Sequence, residues 1–165
     1  VLNPPKLHLD DIDRAILSVL QHNGKLSNVE LAYKVGLSES ACLRRVKILE
    51  KSGLFERFAL LLGHDALGIA GNAFVRVTLE GQQRERLEAF EEKVINIEEV
   101  MECHLLSGDA DYILRVICRD NTHYKRLHAR LTNLPGVQRV HTSFALRTVI
   151  KKTALPLDIL DRPVY

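Results

Sequence analysis

Residues 27–53, SNVELAYKVGLSESACLRRVKILEKSG, restrict the possible folds more than any other part of the chain. Ser27 and Glu30 have the spacing of a capping box, in which the serine hydroxyl takes the Glu30 amide and the glutamate reaches back to the serine amide. A short helix is therefore predicted over 27–35. Gly36-Leu37-Ser38 breaks the pattern. A second helix follows, opened by Ser38 as N-cap and closed by Gly53, a residue suited to the left-handed turn beyond a helix end. Two helices joined by a three- or four-residue turn with a glycine form a helix-turn-helix, whose second helix can enter the major groove of DNA.

The wheel of the second helix fits that use. Cys42, Val46 and Leu49 fall on one side with Leu43 beside them. Ser40, Arg44, Lys47 and Lys51 fall opposite, and Arg45 sits at the flank. An ordinary amphipathic surface helix would show the same wheel. The capped helix and the glycine turn before it favour the nucleic-acid reading.

A further helix precedes this pair. Asp10 is an N-cap, and Asp11 and Asp13 put negative charge at the positive end of the helix dipole. Those aspartates are better read as capping than as a catalytic or metal cluster. Ile12, Ala15, Ile16, Val19 and Leu20 give an apolar face, and Asn23-Gly24 ends the helix. Residues 54–63 read as strand-like, with Phe55 and Phe58 as anchors, forming a wing or a connector strand. The turn-rich 63–68 marks the expected boundary, giving a DNA-binding domain over 1–62 and a second domain over 63–165.

The formal net charge of the 165 residues is only +2, a weak electrostatic case for nucleic acid. Charge is unevenly spread, however. Eight glutamates fall within 80–102, far in sequence from the basic residues of 44–57. A modest basic patch on a near-neutral whole suits a protein that binds DNA as an oligomer. Cys42, Cys103 and Cys118 lack metal or redox spacing and read as small buried side chains in a reducing compartment. No basic segment followed by an apolar run opens the chain, and no apolar run is long enough to span a membrane, so a cytoplasmic protein is expected.

The second half alternates elements: strand 72–79, helix 83–94, strand 100–106, strand 112–118, helix 122–134 and strand 137–146. The order βαββαβ is that of the ferredoxin-like split motif, so the chain as a whole is expected to be α+β. Asn96 to Val100 with His104 matches Asn133 to Val137 with His141, 37 residues on, suggesting two related βαβ halves. Two helices cover one face of a four-stranded sheet. Alternation puts Phe74, Ile113 and Ile117 on the other face, which predicts dimerisation through it.

Taken together, these residues resemble the Lrp/AsnC family of transcription regulators over about 9–157. The resemblance is carried by Leu9-Asp10-x-x-Asp13, Gly24-Lys25-Leu26-Ser27 and the run from Leu37-Ser38 through Cys42-Leu43-x-Arg45-Val46 to Leu49-Glu50-x-x-Gly53. Gly108-x-x-Asp111-Tyr112, Pro135-Gly136-Val137, Thr142-Ser143 and Lys152-x-x-x-Leu155-Pro156-Leu157 complete it. It implies a winged helix-turn-helix and a ferredoxin-like domain that binds amino acids. It also implies dimers assembling to tetramers or octamers, and control of amino-acid metabolism genes. Leu54-Phe55 after Gly53, and Phe58 where the family has a tyrosine, depart from the family pattern.

The effector pocket implied by the resemblance lies between dimers, around Leu105, Ser107, Gly108, Asp109, Asp111 and Tyr112, with Thr142 and Ser143 nearby. The loop's chemistry is suitable. Asp111 or Asp109 could pair with an ammonium, and the amides of Ser107 and Gly108 with the hydroxyls of Thr142 and Ser143 could hold a carboxylate. A plain β-turn would show the same Gly-Asp sequence. On the DNA side, Ser38, Ser40, Arg44, Arg45 and Lys47 are the candidate contacts, with Arg44 reading a base, Lys47 on phosphate, and Arg45 either joining them or bridging to the first helix. No metal or cofactor is expected. The rivals are an architectural DNA binder and an enzyme built on His104, Asp109, Asp111 and His141, although no nucleophile motif or phosphate loop supports the latter.

Overall fold

The computed structural model describes residues 8–69 and 71–157. The chain forms two compact units. Of the described residues, one takes 8–60 together with 150–157, and the other takes 61–69 and 71–149.

The first unit holds three helices, α1 (Asp11–His22), α2 (Asn28–Val35) and α3 (Glu39–Lys51). Each begins at the expected cap. Asp10 accepts from the Asp13 amide at 2.7 Å, and Asp13 reaches back to the Asp10 amide. Ser27 and Glu30 make the predicted reciprocal pair, at 3.2 and 2.8 Å. Gly36, at φ +69°, ends α2 in the left-handed conformation, and Gly53, at φ +76°, does the same just beyond α3. Ile16, Leu17, Leu31, Ala32, Cys42 and Leu49 close one core beneath the three helices. These are the apolar stripes that the 3.6-residue period predicts.

The second unit is a four-stranded antiparallel sheet with two helices. It contains β1 (Gly71–Leu79), α4 (Arg84–Val94), β2 (Val100–Leu105), β3 (Tyr112–Cys118), α5 (Asn121–Thr132) and β4 (Val137–Phe144). The strand order β2-β3-β1-β4 is that of the predicted ferredoxin-like domain. Ala73, Val75, Val77 and Leu79 alternate inward with Tyr112, Leu114 and Val116, against Phe90, Leu127 and Leu131. The Phe90 and Tyr112 rings pack at 4.6 Å between centroids. Gly71 pairs with Cys118 across β1–β3. A Cβ there would overlap the Cys118 sulfur and lie 3.0 Å from its carbonyl oxygen, so only glycine fits.

The 37-residue repeat has a physical basis. The Ile97 amide donates to Val94 and the Val100 amide to Ile97, and the same bonds recur from Leu134 to Leu131 and from Val137 to Leu134. Each turn carries the chain from a helix into an outer strand of the sheet.

Two expectations change. Residues 54–63 form no strand, so no wing is present among the described residues. Phe55 and Phe58 instead meet edge to face at 5.7 Å, with Phe55 against the helical core and the Phe58 ring beside Gly24. These apolar residues looked strand-like, but here they cap a helical core. The second change is at the C-terminus. Residues 150–157, expected in the 63–165 domain, group with the helices, and 158–165 lie outside the described residues.

Candidate nucleic-acid interface and effector loop

In the helical unit, Gly36 turns the chain between α2 and α3, and the Asn28 side chain donates to the Glu39 carbonyl at 2.9 Å. The start of α2 is thereby tied to the first turn of α3. Cys42 and Leu49 point into the core, which turns the opposite side of α3 outward. Ser40, Leu43, Arg44, Lys47, Ile48 and Lys51 together line one shallow depression there. Among the described residues, Arg44, Lys47 and Lys51 make no ion pair. They form a cationic stripe flanked by Leu43 and Ile48, a surface that offers charge to phosphates and methylene groups to thymine methyls.

Two of the expected DNA contacts are otherwise occupied. The Ser38 hydroxyl accepts from the Ala41 amide and lies 3.4 Å from the Ser40 hydroxyl, so it caps α3. Arg45 turns away from the stripe. One of its guanidinium nitrogens reaches Asp10 at 2.6 Å and Asp13 at 2.8 Å, binding α3 to the start of α1. The Asp13 amide first, and Arg45 second, hold the Asp10 carboxyl below its usual range. The aspartates that cap α1 also anchor α3, and Arg45 makes the bridge to the first helix that was one of its two expected roles.

In the sheet unit, β2 and β3 are joined by the loop that carries the expected effector residues. The Leu106 amide donates to the Asp111 carbonyl at 2.8 Å and closes the loop. Leu105, Ser107, Gly108 and Asp109 are exposed on it. A Cβ at Gly108 would meet nothing within 4 Å, so the position is open to a ligand. Asp111 is not part of that open surface. It is buried, accepts from the Leu79 amide at 2.7 Å and from the Gln82 side chain at 2.6 Å, and its own amide donates to Val77 at 3.0 Å. Its carboxylate holds the end of β1 to the loop and is not free to pair with an ammonium. Asp109 is the exposed carboxylate of the loop.

Tyr112 also turns inward, with 1% of its surface exposed. Its hydroxyl donates to Glu91 at 2.7 Å, and burial, followed by that bond, pushes its pKa up. Thr142 and Ser143 do not converge on the loop either. Thr142 pairs with Val75 and lies on the helix side, where its hydroxyl accepts from the Tyr124 hydroxyl. Ser143 pairs with Phe74 on the open face. Both sit on β4, the strand farthest from β2, about 14 Å away at the usual strand spacing. Within one chain, the expected set therefore splits into the open loop, the buried Asp111 and Tyr112, and the distant pair on β4.

One feature was not foreseen. A cleft of about 360 Å³ opens between α4 and β2, lined by Glu91, Val94, Ile95, Val100, Met101, Glu102 and Cys103 with Leu105 and Tyr112. Burial pushes the Cys103 thiol up to about 11. The cleft depends on how α4 docks beside the sheet's outer strand, which no local pattern encodes.

The open face carries Phe74, Ile113 and Ile117, as alternation predicted. It also carries Arg76 opposite Ile113, and Arg115 bonded to Glu102 at 2.7 Å. The face is mixed rather than uniformly apolar. His104 and His141 lie on the two outer strands, and Asp111 is locked in its own bonds, so no acid–base cluster forms from these groups. Among the described residues, no three His, Cys, Asp or Glu side chains are grouped to hold a metal ion, and no helix is long and apolar enough to cross a membrane.

Comparison with known proteins agrees with both units. The AsnC-type helix-turn-helix domain matches residues 9–50, and the Lrp/AsnC ligand binding domain matches residues 72–155. The chain belongs to the Lrp/AsnC family. It is 41% identical over 150 residues to the Bkd operon transcriptional regulator of Pseudomonas aeruginosa, covering 90% of this chain and 98% of that one. It is 40% identical over 152 residues to the leucine-responsive regulatory protein of Escherichia coli K12, covering 92% and 93%. Its fold is similar to that of a Neisseria meningitidis transcriptional regulator solved as an L-Met complex, with a TM-score of 0.88, 38% identity and coverage of 93% and 99%. A feast or famine regulatory protein from Mycobacterium tuberculosis, complexed with L-methionine, matches with a TM-score of 0.78 and 29% identity, covering 87% of this chain and 96% of that one. This Lrp/AsnC protein is a DNA-binding transcription regulator, with a helix-turn-helix in its helical unit and a ligand-binding domain in its sheet unit.

Proposed function

We propose that the regulator binds duplex DNA as a symmetric oligomer and that a small amino acid, bound at the 105–109 loop, modulates its assembly or its DNA affinity. The observation that carries the DNA half is the outward stripe of Ser40, Arg44, Lys47 and Lys51 on α3, whose three cations make no ion pair among the described residues. Arg44 reads a base and Lys47 contacts phosphate. The ligand half is supported by the exposed 105–109 loop, by the match to a ligand-binding domain, and by two similar proteins solved with methionine. In one chain the loop has a carboxylate and free amides but little surface to enclose a ligand. A second copy completes the pocket. Copies pair first through Phe74, Ile113 and Ile117, and pairs then assemble to tetramers or octamers. Such a ligand acts only through different affinities for the two assemblies. The genes it controls serve amino-acid metabolism.

Arg44→Ala tests the DNA reading. The expected loss is about 1–3 kcal/mol, with relaxed preference at one base position, read on a duplex selected with the wild-type protein. Wild-type affinity and preference in that variant would remove Arg44 as the base reader. For the ligand, the amino acids are screened by thermal shift and sizing, starting with methionine. Asp109→Ala is expected to abolish the response to the best of them and leave melting of the free protein unchanged. A full response in Asp109→Ala would move the site away from this loop.

A further inference from the structure

The segment Ile150–Leu157 follows the last strand of the sheet unit in sequence but belongs to the helical unit. Its attachment is specific. The Gln21 side-chain amide bonds to Leu155 twice, donating from Nε2 to the Leu155 carbonyl at 3.1 Å and accepting from the Leu155 amide at 2.6 Å. A side chain thus makes the two-bond pairing that a neighbouring strand would make. The Arg14 guanidinium donates to the Leu157 carbonyl at 3.1 Å, and the Leu157 side chain packs against the core of the three helices. Arg14 and Gln21 are seven residues apart and so share one face of α1. The segment therefore runs antiparallel along α1, with Leu155 near its end and Leu157 nearer its start.

The two units are thereby linked twice, covalently through the chain between α3 and β1, and through 145–149 to a segment held on α1 by hydrogen bonds and packing. A head on a single flexible route would sweep a wide volume. A second attachment on α1 restricts that sweep. When paired copies present two heads to one duplex, the restricted volume sets the effective concentration of the second head.

We propose that residues 150–157 are a strap, which completes the DNA-binding head and fixes its position by a second tether. This rests on the reading that heads bind DNA in pairs. That reading is checked separately by the mass of the protein in solution and of its DNA complex.

The test uses two variants of the full chain and a duplex selected on the wild-type protein from a random pool. Gln21→Ala combined with Leu157→Ala unfastens the segment. Hydrogen exchange of the α1 amides is expected to speed up at least tenfold, with β1 and β3 unchanged. Unchanged α1 exchange overturns the strap at its root. The second variant inserts six Gly/Ser residues between Arg147 and Thr148, which slackens the tether but leaves Gln21, Leu155 and Leu157 in place. Wild-type α1 exchange with DNA affinity lowered several-fold supports the strap. Wild-type affinity in the slack variant overturns it, and reduces the segment to a buttress of the helical core. A monomeric protein, or a complex holding one copy per duplex, refutes paired binding whatever the exchange data show.

Discussion

Asp111→Ala distinguishes a buried structural carboxylate from a ligand-binding one. The wild-type side chain accepts the Leu79 amide at 2.7 Å and the Gln82 amide at 2.6 Å, from a position with 4% of its surface exposed. Removing it strands a buried backbone N–H. A hydrogen bond to a charged group contributes about 1.5–3 kcal/mol, and the Gln82 group, nearer solvent, recovers part of its loss from water. The expected cost is about 2–4 kcal/mol. For a domain of roughly 90 residues, that lowers the melting midpoint by about 10–20 °C. Asp111→Asn keeps one oxygen for Leu79, and Gln82 can turn its own amide to suit, so about 1 kcal/mol is lost. The assay is thermal unfolding of free protein, followed by titration with the amino acid that stabilises the wild type. If Asp111 held a ligand's ammonium, the free Asp111→Ala protein would melt like the wild type or higher, and only the ligand-induced shift would vanish. Wild-type melting in Asp111→Ala would refute the structural assignment and return the ammonium to this residue.

Other consequences can be checked as directly. Arg45→Ala removes the tie between α3 and the two aspartates of α1 and is expected to lower the melting point of the helical unit only slightly, because solvent screens a partly exposed pair. DNA affinity measured well below the melting point stays near wild type, and a loss matching that of Arg44→Ala would place Arg45 on DNA after all. Glu30 gives a pH dependence: the Ser27 hydroxyl and then its amide hold the Glu30 carboxyl below the ordinary 4.5. Folding therefore favours the charged form, so the contribution is complete above pH 4.5 and is lost as pH falls through the folded value. Melting curves from pH 6 to 3 are expected to fall more steeply for wild type than for Glu30→Gln, and parallel curves would refute the capping role. Salt dependence counts the cations. With Arg44 on a base, Lys47 and Lys51 are left for phosphates, and they predict a slope of log K against log salt of about −2 for one head and about −4 for two. A slope near −10 would mean that the α3 stripe is a minor part of the interface.

The helical half of the chain was legible because its signals are local. A capping box spans four residues, a left-handed glycine is one residue, and an amphipathic stripe is read within one helix. Ser27, Glu30, Gly36 and the core side of α3 all lie where such rules put them. The sheet half was legible in order and in the facing of β1 and β3, because alternation is also local. The misreadings share a different origin. Asp111 lies in a turn-like Gly-x-x-Asp run and looks like a loop carboxylate, but its partners are Leu79 and Gln82, about thirty residues earlier. Within one chain β3 and β1 lie between Thr142 and Ser143 and β2, so they can meet the loop only across copies, where the expected pocket lies. The run at 54–62 has strand composition, but a strand needs a partner, and composition cannot supply one. In each case the deciding contact is long-range.

The near-neutral charge follows from the same contacts. Of the basic residues on α3, Arg45 is neutralised by Asp10 and Asp13, while Arg44, Lys47 and Lys51 are left to face outward. The chain therefore does not need a large net charge to present a cationic surface. It needs its acids held elsewhere, at helix starts and in pairs such as Arg84–Glu88 and Arg130–Glu99. Three cations per head make a weak grip, since each phosphate contact adds little at physiological salt. Strength must then come from the number of heads and from how narrowly their positions are held. Both are properties of the sheet unit and of the chain that joins it to α1. On the proposed reading, α3 supplies the base contacts, and the rest of the molecule sets how many copies reach the DNA together.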